Sequence, residues 1–400
     1  MGRTDTRWPN SSQFDTAVQQ AAFHPRGGLA RATVSRTPNG LPRRFEGANA
    51  MAYLLVTPAG NSILRVFKQR PSSDVEGRYR ALTRQANAGH PVFADARWLE
   101  KAVRIDGAWW PAVVMEYVEG QSLRAFVRAH LEDPRALEAL ADEWLRVVRL
   151  LAADGVEHCD LQHDNIKVGP DGRVRLVDLD AVWSRSLAAF TPNESGHPNY
   201  QHPERIRTSA WGPGTDPFSA LVVLLSLRAL AADPELWDDY HDDDNLIFTA
   251  AHFEQVMRDG LWFRLVSSRS LEVRRLTAQL ARACGGRLSD VPGIAELAAP
   301  QVGQQVRPAD WPVSGQSPAE PAPREAPPAP PAPPPTPAPA SVGHPDGAAA
   351  AVPTPDETAR LGGAPAPVPV PAPRHRAPPG GPGCGPWRSP WSRCWSSSRS

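Results

Sequence analysis

The 400-residue sequence lacks the features that mark several classes of protein. It has only four cysteines, at positions 159, 284, 384 and 394. Four scattered cysteines do not make a disulfide framework, and they fit a reducing cytosol. Basic and acidic residues are equal at 43 each. This balance gives no indication of a general affinity for nucleic acid or for an anionic membrane surface.

The sequence also lacks a long apolar run. The longest one, Pro217–Ala232, is interrupted by Arg228 and falls short of the ~20 residues that a membrane-spanning helix needs. We therefore expect a buried core helix there. The N-terminus has no basic stretch followed by an apolar one, which is the pattern of a secretory signal. Together these absences predict a cytoplasmic protein that does not insert into a membrane.

Proline is plentiful, but it is concentrated at one end. The last hundred residues contain 27 of the 45 prolines, many alternating with alanine. Such a segment cannot bury enough apolar surface to offset the entropy of ordering. We expect residues 300–400 to be a disordered tail that serves as a linker, as a ligand for proline-binding modules, or as a passive extension. The three preceding parts are an N-terminal extension, a β-rich part and a helical part (residues 1–44, 45–120 and 121–299).

Acidic and amide side chains cluster in the middle of the chain. Asn165 follows Asp160 by five residues, and Asp178 follows it by eighteen. The intervening sequence predicts a hairpin, with strands at 166–168 and 174–177 and a Gly-Pro-Asp-Gly turn at 169–172. A short hairpin can aim several side-chain oxygens at one point. Mg²⁺ prefers oxygen ligands and is commonly held by one or two carboxylates plus phosphate.

This pattern resembles the catalytic loop and metal-binding motif of the protein kinase family. The family's order is His-Arg-Asp, four residues, Asn, and then a strand that ends in Asp-Phe-Gly. Here it is His158-Cys159-Asp160, Asn165 and Asp178-Leu179-Asp180. The resemblance implies Asp160 as catalytic base, Asn165 and Asp178 as Mg²⁺ ligands, and ATP as cosubstrate. The alternatives are a hydrated polar turn and a metal-hydrolase site, which would use His158, Asp160, His163 and Asp164.

The β-rich part is similar to the nucleotide-binding lobe of the same family. A predicted strand at 63–67 ends in Lys68, which the resemblance implies as a catalytic lysine that contacts the ATP phosphates. The glycine-rich loop is degenerate, because only Gly47 remains of its glycines. Backbone N–H groups should therefore cradle phosphate less well. Glu76, in the next predicted helix, is the candidate partner of Lys68, although acids at a helix start are favoured anyway.

The join between the two parts resembles the hinge between kinase lobes. Asp106-Gly107 predicts a hairpin turn, and the second strand of that hairpin continues into Met115–Gly120. The resemblance implies that backbone groups of Glu116 and Val118 bind the adenine edge. We thus expect an α+β, bilobal protein kinase-like fold, with a small antiparallel β-rich N-lobe and a mainly α-helical C-lobe.

Several helices can be predicted from apolar residues at three- and four-residue spacing. Asp133-Pro134 has the pattern of an N-cap followed by a first-turn proline. The predicted apolar faces comprise Phe14, Ala17, Val18 and Ala21; Leu137, Leu140, Trp144, Val147 and Leu151; and Leu271, Val273, Leu276, Leu280 and Ala283. Asp216 is predicted either to cap the buried helix or, as the resemblance implies, to brace the catalytic loop.

Two functions remain open from the sequence. One is an ATP-dependent phosphotransferase of the serine/threonine protein kinase type. His202-Pro203-Glu204 and Asp216 resemble the substrate-facing half of protein kinases. By contrast, Gln162 stands where protein kinases usually have the lysine that contacts the γ-phosphate, and Cys159 replaces the arginine that would bind an activation-loop phosphate. Small-molecule kinases, such as aminoglycoside phosphotransferases, also lack this lysine and this arginine. The Cys159 replacement further predicts activity that is independent of loop phosphorylation. The other function is an inactive nucleotide-binding scaffold that uses the proline-rich tail to bind partners.

Overall fold

An antiparallel sheet forms the first lobe. The structure, a computed structural model, describes residues 7–24, 28–46, 49–86, 92–192 and 195–293. Within them the strands are β1 (Thr33–Val34), β2 (Arg44–Glu46), β3 (Ala50–Thr57), β4 (Gly60–Phe67), β5 (Ala96–Ile105) and β6 (Ala108–Glu116). Their order is β1-β3-β4-β6-β5, and β2 also pairs with β3. The predicted β-rich lobe is confirmed, while the predicted tail lies outside the described residues.

The predicted hairpin turn joins β5 and β6. Asp106 and Gly107 both have positive φ, 49° and 80°. Two consecutive positive φ values define the turn that matches the right-handed twist of two-residue hairpins. The turn sets the register that pairs Ile105 with Ala108, and β6 then runs to the predicted hinge.

The two faces of β4 pack against different partners. Leu64 and Val66 join the cluster that includes Phe14 and Val18 of helix α1 (Ser11–Gln19). Ile63 and Phe67 belong to clusters on the opposite face, which is covered by helix α2 (Ser73–Ala86) and by the second lobe. Successive side chains of a strand point to opposite faces. Odd-numbered residues of β4 therefore face α2 and the second lobe, and even-numbered residues face α1.

Helices make up most of the second lobe. They are α3 (Leu123–Ala129), α4 (Pro134–Ala153), α5 (Pro203–Thr208), α6 (Asp216–Ala232), α7 (Leu236–Tyr240), α8 (Ala250–Glu254), α9 (Gly260–Val266) and α10 (Leu271–Gly285). Asp133 caps α4 as predicted, because its side chain accepts a hydrogen bond from Ala136 N. The predicted apolar face of α4 is buried, and α6 is buried along nearly its whole length.

The sequence prediction fails at two helix starts. Leu271 is 55% exposed, because it is the first residue of α10 and lies before the turn that packs on the core. Asp216 lies inside α6, and the N-cap is Thr215, which makes no side-chain capping bond. The Asp216 carboxylate is thereby left to bind elsewhere.

A small second sheet carries the catalytic loop. Strands β7 (Gln121–Ser122), β8 (Ile166–Val168) and β9 (Val174–Leu176) pair in that order, all antiparallel. The β8–β9 hairpin is the one predicted from the sequence. Its two outer ends hold Asn165 and Val177, whose backbones join through Val177 N to Asn165 O (2.9 Å). This bond fixes the loop against the residue that precedes Asp178.

Candidate active site

Asp160 and Asn165 are in direct contact at the centre of the catalytic loop. Asn165 Nδ2 donates to Asp160 Oδ2 at 2.8 Å and to the Asp160 carbonyl oxygen at 3.0 Å. His197 N donates to Asp160 Oδ1 at 2.8 Å. Both side chains are buried. The five-residue spacing thus brings a carboxylate and an amide together, as the sequence predicts.

Asn165 Oδ1 remains available for a ligand. This buried atom has no hydrogen-bond partner among the residues that the structure describes. A buried polar atom without a partner costs free energy, and a hard cation would satisfy an amide oxygen. Asp178 follows the residue that bonds to Asn165, and it has a φ of 62°, a backbone conformation that is unfavourable for a residue with a side chain. The two residues fit a Mg²⁺ site that is completed by phosphate oxygens.

His158 connects the loop to the strand that leads to Asp178. Its Nε2 lies 3.0 Å from the Val177 carbonyl oxygen, and Asp160 N donates to its Nδ1 at 3.3 Å. These partners fit a neutral ring that is protonated at Nε2. Burial lowers the pKa of His158, which favours the neutral form and leaves His158 with a positioning role.

Asp216 braces the loop that contains Asp160 by hydrogen bonds to its backbone. Its carboxylate accepts hydrogen bonds from His158 N at 2.5 Å and from Cys159 N at 2.7 Å. Glu157 binds the same region, since its Oε2 accepts from Asp216 N at 2.8 Å and its Oε1 from Gly214 N at 2.7 Å. Burial and the adjacent Glu157 charge raise the pKa of Asp216 to about 8. Bracing by Asp216, one of the two predicted roles, is the one that the contacts fit.

Cys159 is a structural residue in this geometry. It is fully buried and has a φ of 63°, held there by the bond from its N–H to Asp216. Burial raises the pKa of its thiol well above the usual value, so the reactive thiolate is disfavoured.

Lys68 does not form the predicted pair with Glu76. In the described part of the chain, Lys68 Nζ pairs with Glu46 Oε1 at 2.8 Å, while Glu76 pairs with Arg80 of the same helix. The physical reason is strand parity. Lys68 lies three positions after Arg65, and an odd offset along an extended chain turns the side chain to the other face.

Arg65 is the cation that β4 directs toward the catalytic residues. Its guanidinium forms a buried ion pair with Asp180 and donates to the Tyr79 hydroxyl at 2.6 Å. Tyr79 donates in turn to Asp180. Burial disfavours the Asp180 charge, but Arg65, Tyr79 and Arg78 outweigh burial and hold the pKa of Asp180 below its usual value. The sequence analysis did not identify Arg65, although its even offset from Ile63 was a usable signal.

A small cavity adjoins the predicted adenine-binding region. Its volume is about 20 Å³, and its lining includes Ile63, Ala96, Met115, Glu116 and Asp178. That volume holds roughly one water molecule. Val118 packs with Ile63 and Val177 in the apolar cluster beside it. Gly47 lies outside the described residues.

The Glu116 side chain binds other protein groups. Its Oε2 pairs with Arg175 at 2.7 Å and accepts from Asp95 N at 3.1 Å. These bonds fasten the hinge to β9 and to the start of β5. The adenine-binding role of Glu116 and Val118 stays a prediction, and it would use their backbone groups.

The His202-Pro203-Glu204 segment is anchored to the end of the second lobe. His202 Nε2 lies 2.8 Å from the Ala283 carbonyl oxygen, and Glu204 Oε2 accepts from Leu288 N at 2.6 Å. The chain between Asp178 and Glu204 is therefore fixed at both ends. Its His197 N reaches Asp160, so an acceptor approaching the candidate base would contact this segment.

No helix among the described residues is long and apolar enough to cross a membrane. The same residues contain no group of three or more His, Cys, Asp or Glu side chains placed to hold a metal ion. The metal-hydrolase alternative required such a group, whereas a site of one amide and one carboxylate completed by phosphate does not.

The two-lobed fold, with the Asp160–Asn165 loop at the lobe junction, is protein kinase-like. Residues 106–282 match the family model of the protein kinase domain. Serine/threonine-protein kinase PAK 1 of Mus musculus is 32% identical over 121 residues, which is 29% of this chain and 21% of the relative. Serine/threonine-protein kinase STE20 of Debaryomyces hansenii is 28% identical over 116 residues, 29% of this chain and 11% of the relative.

Serine/threonine-protein kinase PAK mbt of Drosophila melanogaster is similar to a comparable degree. It is 29% identical over 118 residues, 29% of this chain and 18% of the relative. The match thus covers only about a tenth to a fifth of the length of these relatives.

Proposed function

We propose that this chain is an ATP-dependent phosphotransferase of the serine/threonine protein kinase type. The observation that carries the proposal is the contact between Asp160 and Asn165, with Asn165 joined through Val177 N to the residue that precedes Asp178. This arrangement supports Asp160 as a base and Asn165 and Asp178 as oxygen ligands. The printed names of the relatives support serine or threonine of a protein as the acceptor.

Asp160 would act as the base. It orients the acceptor hydroxyl and takes its proton as that oxygen bonds to the γ-phosphorus of ATP and the bond to the leaving ADP oxygen breaks. A carboxylate has about four acceptor positions, and the bonds from His197 N and Asn165 Nδ2 use two of them. About two positions therefore remain, and one of them can accept from the hydroxyl without breaking the loop.

Asn165 Oδ1 and Asp178 would hold Mg²⁺. When bound, the ion would neutralise charge on the phosphates. Asp216 and His158 keep the loop in position through bonds to its backbone. In this proposal Arg65 replaces Lys68 as the phosphate-facing cation, because it lies on the face of β4 that meets Asp180.

Replacing Asp160 tests the proposal. Because general base catalysis contributes ~10²–10⁴-fold, Asp160→Asn should reduce ATP turnover with a serine/threonine peptide library by about that factor. Asp171→Asn is the matched control, since Asp171 lies in the exposed β8–β9 turn and binds only Arg173 N. Equal turnover in wild type and Asp160→Asn would contradict the proposal. A parallel assay with an aminoglycoside acceptor tests the small-molecule alternative that Gln162 and Cys159 leave open.

The second candidate is a nucleotide-binding scaffold without turnover. The Arg65–Asp180 ion pair favours it, because the pair opposes phosphate binding to Arg65. Its proposed interaction arm is the proline-rich tail. A scaffold would give no turnover in wild type, and Asp160→Asn would leave partner binding unchanged.

A further inference from the structure

Asp180 and Arg65 form a buried ion pair that stability alone does not account for. Both side chains are only 5% exposed. Taking two charges out of water costs several kcal/mol per ion, and apolar replacements are often at least as stable. Tyr79 contacts both members, accepting from Arg65 and donating to Asp180. These contacts therefore hold the Asp180 carboxylate against the Arg65 guanidinium.

An open pocket adjoins this pair. Its volume is about 280 Å³, and its lining comprises Asn49, Arg65, Phe67, Gln69, Arg70, Pro71, Ser72, Val75 and Asp180. A second guanidinium, Arg70, and the Ser72 hydroxyl lie at its wall, where α2 begins. Guanidinium groups bind carboxylate and phosphate with the same planar geometry. An anion of phosphate type could thus enter this pocket and reach Arg65, where it would meet the Asp180 carboxylate.

Asp180 is held in place by the segment that carries it. Arg78 Nη2 donates to the carbonyl oxygens of Asp180 at 2.7 Å and Val182 at 2.8 Å. Leu179, Val182 and Leu187 pack with Val75 and Tyr79 of α2. Because the backbone at Asp180 is held on α2 and its carboxylate is buried, we expect displacement of the carboxylate from Arg65 to loosen this segment.

We propose that Asp180 is an internal competitor for phosphate. Asp180 pairs with Arg65, and a polyphosphate group binds Arg65 only after Asp180 has been displaced. The inference deepens the proposed function, on which it rests for the identity of the phosphate as that of ATP. Asp180 and Arg65 would then set nucleotide affinity, and the segment that follows Asp178 would regulate access to the site.

The first test uses inorganic tripolyphosphate, which lacks adenine and so reports on the cation alone. Calorimetry on the full chain should show at least about tenfold tighter binding to Asp180→Asn than to wild type. Glu46→Gln is the matched control, because it removes one carboxylate that pairs with another cation of the first lobe, Lys68. It should change the affinity less than about twofold. A gain in Glu46→Gln with none in Asp180→Asn, or no binding to either variant, would overturn the inference.

A second measurement does not depend on the folding of a variant. In wild type, saturating tripolyphosphate should accelerate amide hydrogen exchange at Val182 and Leu187 at least about tenfold, since displacement of the carboxylate should loosen the segment. Unchanged exchange would overturn the inference. Turnover tests the proposed function separately: tighter binding to Asp180→Asn without wild-type turnover would reject the function alone. Turnover without any gain in Asp180→Asn would reject the inference alone.

Discussion

Single residues in this site differ in how far the sequence foretells their role. The spacing of Asp160, Asn165 and Asp178 predicts their proximity because a short hairpin joins them, and hairpin geometry is local. Arg65 and Lys68 could not be separated by spacing to the catalytic loop. Strand parity separates them, but only once the strand is known to reach the site with Ile63 facing inward. Tyr79 and Asp180 meet across 101 residues of sequence, and no local pattern encodes that contact.

Asp164 gives a prediction about pH at the residue scale. Burial raises its pKa to about 6, against 3.8 for the free side chain. A raised carboxyl pKa means that the native state binds the proton more tightly. Stability from this group is therefore present at low pH and is lost as pH rises from about 4 through about 6. Asp164→Asn, which cannot ionise, removes this loss.

The measurement is urea unfolding of wild type and Asp164→Asn at several pH values. One pKa unit corresponds to about 1.4 kcal/mol. The unfolding free energy of the variant relative to wild type should thus rise by about 3 kcal/mol between about pH 4 and pH 7. Histidines that do not contact Asp164 affect both proteins equally and cancel, and His163, whose Nε2 lies 3.5 Å from Asp164 Oδ2, is replaced by Gln in both proteins. A difference that stays constant with pH would contradict the assigned environment of Asp164.

At the scale of elements, local signals gave most of the secondary structure. Asp106-Gly107 and Asp133-Pro134 mark a turn and a helix start because each residue type satisfies a specific backbone need. The packing of the segment after Asp178 against α2 was not predictable, since it depends on a contact between distant elements. The contact is close: a Cβ added to Gly77 would lie 2.3 Å from Phe190 Cε1.

Gly77→Ala tests that contact. Alanine is the better helix former by ~1 kcal/mol, so the substitution would stabilise α2 in the absence of Phe190. With Phe190 present, the new methyl group should displace the ring and lower the midpoint of thermal unfolding. The double variant Gly77→Ala with Phe190→Ala should be more stable than Phe190→Ala alone, because the clash is then absent. If Gly77→Ala raises the midpoint in the wild-type background, the packing described here is incorrect.

At the scale of the whole molecule, composition and motif order predict a two-lobed kinase-like protein, and the fold confirms it. Composition separates the proline-rich tail from the folded part without assigning it a role. The size of the pockets around the site could not be predicted from the sequence, because it depends on small displacements of packed elements. The cavity near Glu116 is about 20 Å³ whereas the pocket near Arg65 is about 280 Å³.

The central claim is that Asp178 and Asn165 bind Mg²⁺ together with ATP. The most direct test is calorimetric ATP binding with and without Mg²⁺, on wild type, Asp178→Asn and the exposed-turn control Asp171→Asn. We predict that Mg²⁺ tightens ATP binding at least about tenfold in wild type and in the control, and that Asp178→Asn loses this gain. An equal gain in Asp178→Asn, or no ATP binding by wild type with Mg²⁺ present, would contradict the account.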